Sequence, residues 1–271
     1  MKKRIIPTLI VLLTLSMLLS MMPAVSADTV VPNMTELFEG KQFTTESGYV
    51  LNYSIYVPDD YDATKKYPVV LFMHGAGERG NDLKTHLTQG IIEPFKNTES
   101  PIYDCIVVAP QCPANKKWVN VAKWTDSIYS TDTIAETDEI KAVLELIGSL
   151  KDTYSTDTNR YYSTGLSMGG TGTWMLAMAA PERFAAIAPI CGSGIYWFGE
   201  ALVNTPIMVY HGDCDDVVPI ENSMEMIKSV NKRGGNAEIK VLKGVWHNAW
   251  DAAYEGDELY TWLLSHKLKR D

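Results

Sequence analysis

The sequence predicts an α/β fold: a mainly parallel β-sheet covered by helices on both faces. Three observations predict it. Short unbroken apolar runs, such as 68–73 (PVVLFM) and 105–109 (CIVVA), have the character of strands buried on both sides. Longer stretches carry apolar residues at helical spacing. In 134–153, Ile140, Val143, Leu144, Ile147 and Leu150 stand among Glu136, Glu139, Glu145 and Lys151. The two patterns alternate along the chain, the order that builds a parallel sheet through helical crossovers.

The elements follow in order. Residues 48–57 are β-rich and partly alternating, and end at Pro58. The runs 68–73 and 105–109 end at His74-Gly75 and Pro110. After the helix over 134–153 comes a short strand, 161–166, that runs into a glycine-rich turn and a helix over 168–180, stopped at Pro181. Strands over 185–189 and 206–210, a helix over 220–232 ending at Gly234-Gly235, a strand over 238–242 and a helix over 255–268 complete the chain. In such sheets the ligand site lies at the carboxyl ends of the strands.

The 271 residues are 46% hydrophobic, 21% charged and 10% aromatic, enough apolar material for one sizeable core. Lys2, Lys3 and Arg4, the uncharged run from Ile5 to Met22, and Val25-Ser26-Ala27 form the pattern of a secretory signal peptide cleaved after Ala27. The competing reading is a retained membrane anchor. Cleavage leaves residues 28–271 as a single secreted catalytic domain. It changes the balance from 24 basic against 33 acidic groups (−9) to 21 against 33 (−12). So acidic a chain is a poor partner for nucleic acid or an anionic membrane. Cys105, Cys112, Cys191 and Cys214 are compatible with one or two disulfides or with buried free thiols, and contain no CxxC zinc pattern.

The chemistry concentrates at Gly165-Leu166-Ser167-Met168-Gly169. A G-x-S-x-G turn between strand and helix presents a serine hydroxyl above the sheet edge, and its glycines let the backbones approach. Here a β-type segment precedes it and an apolar helix with Trp174, Met175 and Met178 follows. Ser167 is therefore the expected nucleophile. It needs a base, and three histidines follow it. His266 lies beside Lys267 and reads as solvated; His211 ends a buried strand and reads as structural; His247 sits in the loop after the last strand and is the expected base. The orienting acid should follow strand 206–210, where Asp213, Asp215 and Asp216 are available. The oxyanion donors are expected to be the main-chain N–H of Met168 and one from the loop after 68–73, Ala76 before Gly77. Trp118, Trp246 and Trp250 are candidates for an aromatic wall, with ordinary packing as the competing reading. Glu78 and Arg79 are read as a pair bracing the oxyanion loop or as a solvated loop pair. No cofactor or metal is required by this chemistry.

HGAGERGND (74–82), APQCP (109–113), TGLSMGGTGTW (164–174), HGDCDDVVP (211–219) and WHNAWDAAY (246–254) resemble bacterial esterases of the α/β-hydrolase superfamily. These are phospholipase/carboxylesterase-like proteins similar to the feruloyl and acetyl-xylan esterases of carbohydrate esterase family 1. The resemblance spans roughly residues 40 to 268. It implies the α/β-hydrolase fold with an eight-stranded sheet and no large lid. It places the triad on Ser167, Asp215 and His247, the acid being the D of H-G-x-x-D-x-x-V-P. It implies a small-molecule or polysaccharide-linked ester as substrate, with feruloyl or acetyl groups on xylan foremost. The alternatives are a general short-chain carboxylesterase, a serine peptidase of prolyl-oligopeptidase type, and a catalytically silent carbohydrate-binding scaffold. The peptidases carry a large propeller domain for which the 271 residues leave no room, and the silent scaffolds lack a triad residue.

Overall fold

A computed structural model of the chain describes residues 33–121, 123–124 and 136–270. The leader 1–27 with its expected cleavage site, and the first part of the acidic run 132–139, lie outside the described residues. Eight strands form one sheet: β1 (Glu39–Thr44), β2 (Val50–Tyr56), β3 (Tyr67–Met73), β4 (Ile106–Gln111), β5 (Thr156–Leu166), β6 (Ala186–Ile190), β7 (Ile207–Gly212) and β8 (Ala237–Leu242). Their order across the sheet is β1-β2-β4-β3-β5-β6-β7-β8. β2 pairs antiparallel with both β1 and β4, and every other neighbouring pair is parallel. The helices are α1 (Met34–Leu37), α2 (Asp138–Thr153), α3 (Met168–Ala179), α4 (Glu221–Lys232), α5 (Trp250–Tyr254) and α6 (Glu258–Leu264). This is the α/β-hydrolase architecture expected from the sequence.

Two cores lie on the two faces. Successive β3 residues alternate between them: Val69, Leu71 and Met73 face α2, α3 and α4, while Val70 and Phe72 face α5 and α6. This is the period-2 signature of a strand buried on both sides. α3 is buried along almost its whole length, which explains why its sequence is apolar all round rather than striped. α2 starts at Asp138, where the Thr137 hydroxyl accepts the Ile140 N–H at 3.1 Å and caps the first turn.

Several elements differ from expectation. β1 has mostly exposed, polar residues (EGKQFT), so it carries no hydrophobic period; its register comes from its hairpin with β2. The helix expected over 255–268 is shorter: α6 covers only Glu258–Leu264. It starts after Gly256, whose φ of 73° separates it from the short α5, not expected from the sequence. The four cysteines are all free, with Cys105, Cys112 and Cys191 buried and Cys214 exposed. The segment 191–206 between β6 and β7 is occupied by a 3₁₀ turn, Tyr196–Leu202, and carries no lid. Among the described residues no helix is long and apolar enough to cross a membrane.

Candidate active site

The site forms where β5, β7 and β8 end. Ser167 follows β5 and immediately precedes α3, with φ 55° and ψ −117°. A non-glycine residue is strained there. The surroundings enforce it: the Ser167 N–H donates to the Ile190 carbonyl at 2.9 Å. A Cβ on Gly165 would sit 2.5 Å from the Met73 carbonyl oxygen, and one on Gly169 only 1.9 Å from it. The two glycines of the motif are steric necessities of the packing between β3, β5 and α3.

His247 lies between β8 and α5, and its Nε2 is 2.8 Å from the Ser167 hydroxyl. Its Nδ1 is 2.8 Å from Asp215 Oδ2. Asp215 follows β7, and its Oδ1 accepts the N–H groups of Val217 and Val218 at 2.9 Å each. Burial of this carboxyl pushes its pKa up, but hydrogen bonds from His211, His247 and Val218 outweigh burial and hold it far below the usual carboxylate range. Asp215 is therefore held as an anion at neutral pH. With an anion on Nδ1, the His247 proton sits on Nδ1 and Nε2 is left free to accept from Ser167. The three side chains named from sequence are thus one continuous hydrogen-bonded relay. It can take a proton from the hydroxyl while keeping the resulting imidazolium paired.

The neighbouring carboxylates do other work. Asp213 accepts the Gly244 N–H at 2.7 Å and ties the acid loop to the loop that carries His247. Asp216 is exposed. Gly212 lets the two loops cross, since a Cβ there would lie 2.2 Å from the Val245 carbonyl oxygen. His266 is remote from the relay; its Nδ1 lies 2.8 Å from the Trp262 carbonyl.

A cleft of about 330 Å³ opens over Ser167, lined on one side by Gly75–Glu78 and on the other by Val217, His247 and Trp250, with Trp124 and Leu166 completing it. Met168 opens α3 and Ala76 opens a 3₁₀ turn, Ala76–Glu78. Their N–H groups have no acceptor among the described residues, so both are free for an incoming oxygen. The loop that carries Ala76 is braced from below by a neutral histidine. Burial pushes His74 down to about 3. The Cys112 N–H donates to its Nε2 at 2.9 Å, so its proton is on Nδ1, facing the Gly75 carbonyl at 2.6 Å. Arg79 Nε donates to the Ala76 carbonyl at 2.7 Å. It does so without Glu78: the pair expected from sequence is not formed, and the Glu78 carboxyl instead folds back over Gly75, where burial raises its pKa.

The aromatic expectations separate. Trp250 lines the cleft and meets the His247 ring edge-on, centroids 5.3 Å apart. Trp118 is fully buried and donates its indole N–H to the His74 carbonyl at 3.1 Å. It cannot touch a ligand, and its place in an aromatic wall is corrected to that of a brace beneath the oxyanion loop. Trp246 is 58% exposed and stands outside the cleft lining. Trp124, which the sequence alone does not single out, lines the cleft beside Trp250. Cys191, Asp215 and His247 bring potential ligand atoms within 4.8 Å of one another. There, however, Asp215 and His247 are already bonded to each other, and burial keeps the Cys191 thiol protonated.

Comparison with known proteins points the same way. Residues 61–256 match the Phospholipase/Carboxylesterase family model. The chain is 27% identical over 208 residues to the protein named Probable feruloyl esterase C from Aspergillus terreus, covering 72% of this chain and 68% of that one. It is 25% identical over 248 residues to feruloyl esterase D of Neurospora crassa, covering 85% and 78%. A crystal structure of a thermostable esterase superposes with a TM-score of 0.76 at 35% identity, over 86% of this chain and 64% of that one, so the chain spans less than two thirds of that esterase.

Proposed function

The chain belongs to the phospholipase/carboxylesterase family, and we propose that it is a serine carboxylic-ester hydrolase working through an acyl-enzyme on Ser167. The observation that carries this reading is the unbroken contact from Ser167 Oγ through His247 to Asp215, two links of 2.8 Å each, at the mouth of a cleft. His247 Nε2 takes the Ser167 proton as Oγ attacks the ester carbonyl. The carbonyl oxygen, now an anion, accepts from the Met168 and Ala76 N–H groups. His247 then passes the proton to the departing alkoxide, leaving the acyl group on Ser167. Water, deprotonated by the same Nε2, cleaves that ester. Asp215 stays ionised and holds the imidazole in the Nδ1–H tautomer throughout.

Esters of the plant cell wall, feruloyl or acetyl groups on xylan, are the proposed substrates. The relatives named feruloyl esterases support this. So does an open cleft flanked by Trp124 and Trp250, which suits an acyl group on a polymer. The basic, apolar and small-residue leader supports action outside the cytoplasm. A fluorophosphonate probe and an ester panel test the reading. The wild type should be labelled and should release ferulate or acetate from xylan. Ser167→Ala should lose the label and about 10⁵–10⁶ of kcat. Cleavage of p-nitrophenyl acetate without release of either acid from xylan would reject the cell-wall substrate and keep the esterase. A folded, unlabelled wild type would reject the enzyme.

A further inference from the structure

His211 is the last but one residue of β7 and is fully buried, four residues before the acid. Its Nε2 faces two atoms that can only accept: the Val218 carbonyl at 2.8 Å and Asp215 Oδ2 at 3.2 Å. A ring nitrogen so placed must carry a proton, whatever the state of the other nitrogen. Nδ1 faces the Ser223 hydroxyl of α4 at 2.8 Å, and that hydroxyl is also 3.2 Å from the Gly192 carbonyl. Ser223 can donate to Nδ1 or accept from it and donate onward to Gly192, so both the neutral and the charged ring satisfy every atom. In either case an N–H edge points at the carboxylate oxygen that His247 also uses.

We infer that His211 is a positioning residue for the Asp215–His247 pair: it shares Asp215 Oδ2 with His247, fixes that oxygen in place, and draws part of its charge away from the base. The inference rests on the triad reading above. A carboxylate bound to two imidazoles stabilises a proton on either one less than a carboxylate bound to one. The unshared alternative would hold the His247 proton more tightly and silence the base at a higher pH. Sharing extends activity toward acid. The other groups around His211 do not compete. α4 presents the neutral Ser223 and Asn222, and β8 presents Val241 as its register partner. The β6 end presents the Cys191 thiol on the Asp215 side, and Asp213 and Asp216 are exposed on the loop.

The test is the pH dependence of kcat/KM for p-nitrophenyl acetate in the wild type, His211→Leu and His211→Gln. Leucine removes the N–H; glutamine restores a neutral one. The acid limb of His211→Leu should move up by about half a pH unit or more with a plateau about 10-fold lower, and His211→Gln should return the limb toward the wild type. A limb that stays in place in His211→Leu, or that moves equally in both variants, overturns the inference. Should His211→Leu fail to fold, nitrogen NMR of histidine-labelled wild type decides: Nε2 of His211 protonated across the active pH range is the expected result, and a bare Nε2 overturns the inference. Loss of activity in Ser167→Ala, measured alongside, tests the triad separately. If that variant keeps its activity, the triad reading fails, and the tautomer of His211 is still read independently.

Discussion

The two halves of the site are held in place by different forces. The nucleophile side is built from main chain. Ser167 is forced into its strained turn by backbone contacts so close that Gly165 and Gly169 leave no room for a Cβ. The acid–base side is built from side-chain hydrogen bonds, with Asp215 held by two backbone N–H groups and two imidazoles, and Asp213 tying the two loops together. Steric locks fail in folding; hydrogen-bond locks fail in rate. Substitutions on the two sides should therefore separate cleanly in what they damage.

Among substitutions in the groups that hold the triad in place, the largest effect is expected on the acid–base side. Asp215→Asn keeps an oxygen for the Val217 and Val218 N–H groups but turns an amide toward His247 Nδ1, which favours the wrong tautomer. kcat should fall by about 10⁴ while thermal unfolding stays cooperative. A loss below about tenfold would mean that Asp215 does not orient the base. On the other side, Gly169→Ala places a methyl 1.9 Å from the Met73 carbonyl oxygen and 2.7 Å from that of His74. Neither can yield without breaking β3 from β5. Destabilisation of about 3 kcal/mol or more is expected by urea unfolding. Gly77→Ala, with nothing within 4 Å, should stay within about 0.5 kcal/mol.

The same contrast governs what the sequence revealed. Steric locks leave glycines and apolar runs at set spacings, so β3, β5, α3 and Ser167 were legible, as was the parallel sheet. Hydrogen-bond locks leave only polar residues whose partners are remote in the chain. Residues alone left Asp213, Asp215 and Asp216 open, and a family resemblance was needed to choose among them. His211 read as a structural strand end because nothing in the chain announces that it shares the acid's oxygen. Trp118 and Trp124 are equally aromatic, and only the fold decides that one is buried under His74 and the other lines the cleft. β1 was missed because its exposed, polar sequence has no period; pairing with β2 defines it.

The oxyanion loop lies between the two regimes: main-chain donors, braced by side chains. Its near neighbour His86 is fully buried, and burial lowers it to about 4. A depressed histidine pKa means that the unfolded chain binds the proton first. This contribution to stability is complete above the unfolded value of 6.5 and is lost as pH falls toward the folded value. Between about pH 7 and pH 4.5 the wild type should lose up to about 2.5 kcal/mol through this one group. His86→Leu should lose correspondingly less over the same interval, measured by denaturant unfolding at both pH values. Equal losses would show that His86 is not the group that titrates, leaving His74, lowered to about 3, as the acid-labile brace.

A smaller effect on rate probes the brace above that pair. Arg79 donates Nε to the Ala76 carbonyl and a terminal nitrogen to the Lys116 carbonyl at 3.2 Å, linking the 3₁₀ turn to the chain beyond β4. The guanidinium is not itself part of the cleft lining and reaches it only through the Ala76 carbonyl, so its influence on an oxyanion runs through the Ala76 backbone. Losing an oxyanion donor outright costs about 10²–10³; loosening one should cost less. Arg79→Met keeps much of the aliphatic stem and removes both donors. It should lower kcat about tenfold and leave KM within about twofold, because the donor matters most once charge has developed on the oxygen. A rise in KM at constant kcat would instead place the effect on ground-state binding. The Ala76 turn would then be a wall of the cleft rather than a donor to the transition state.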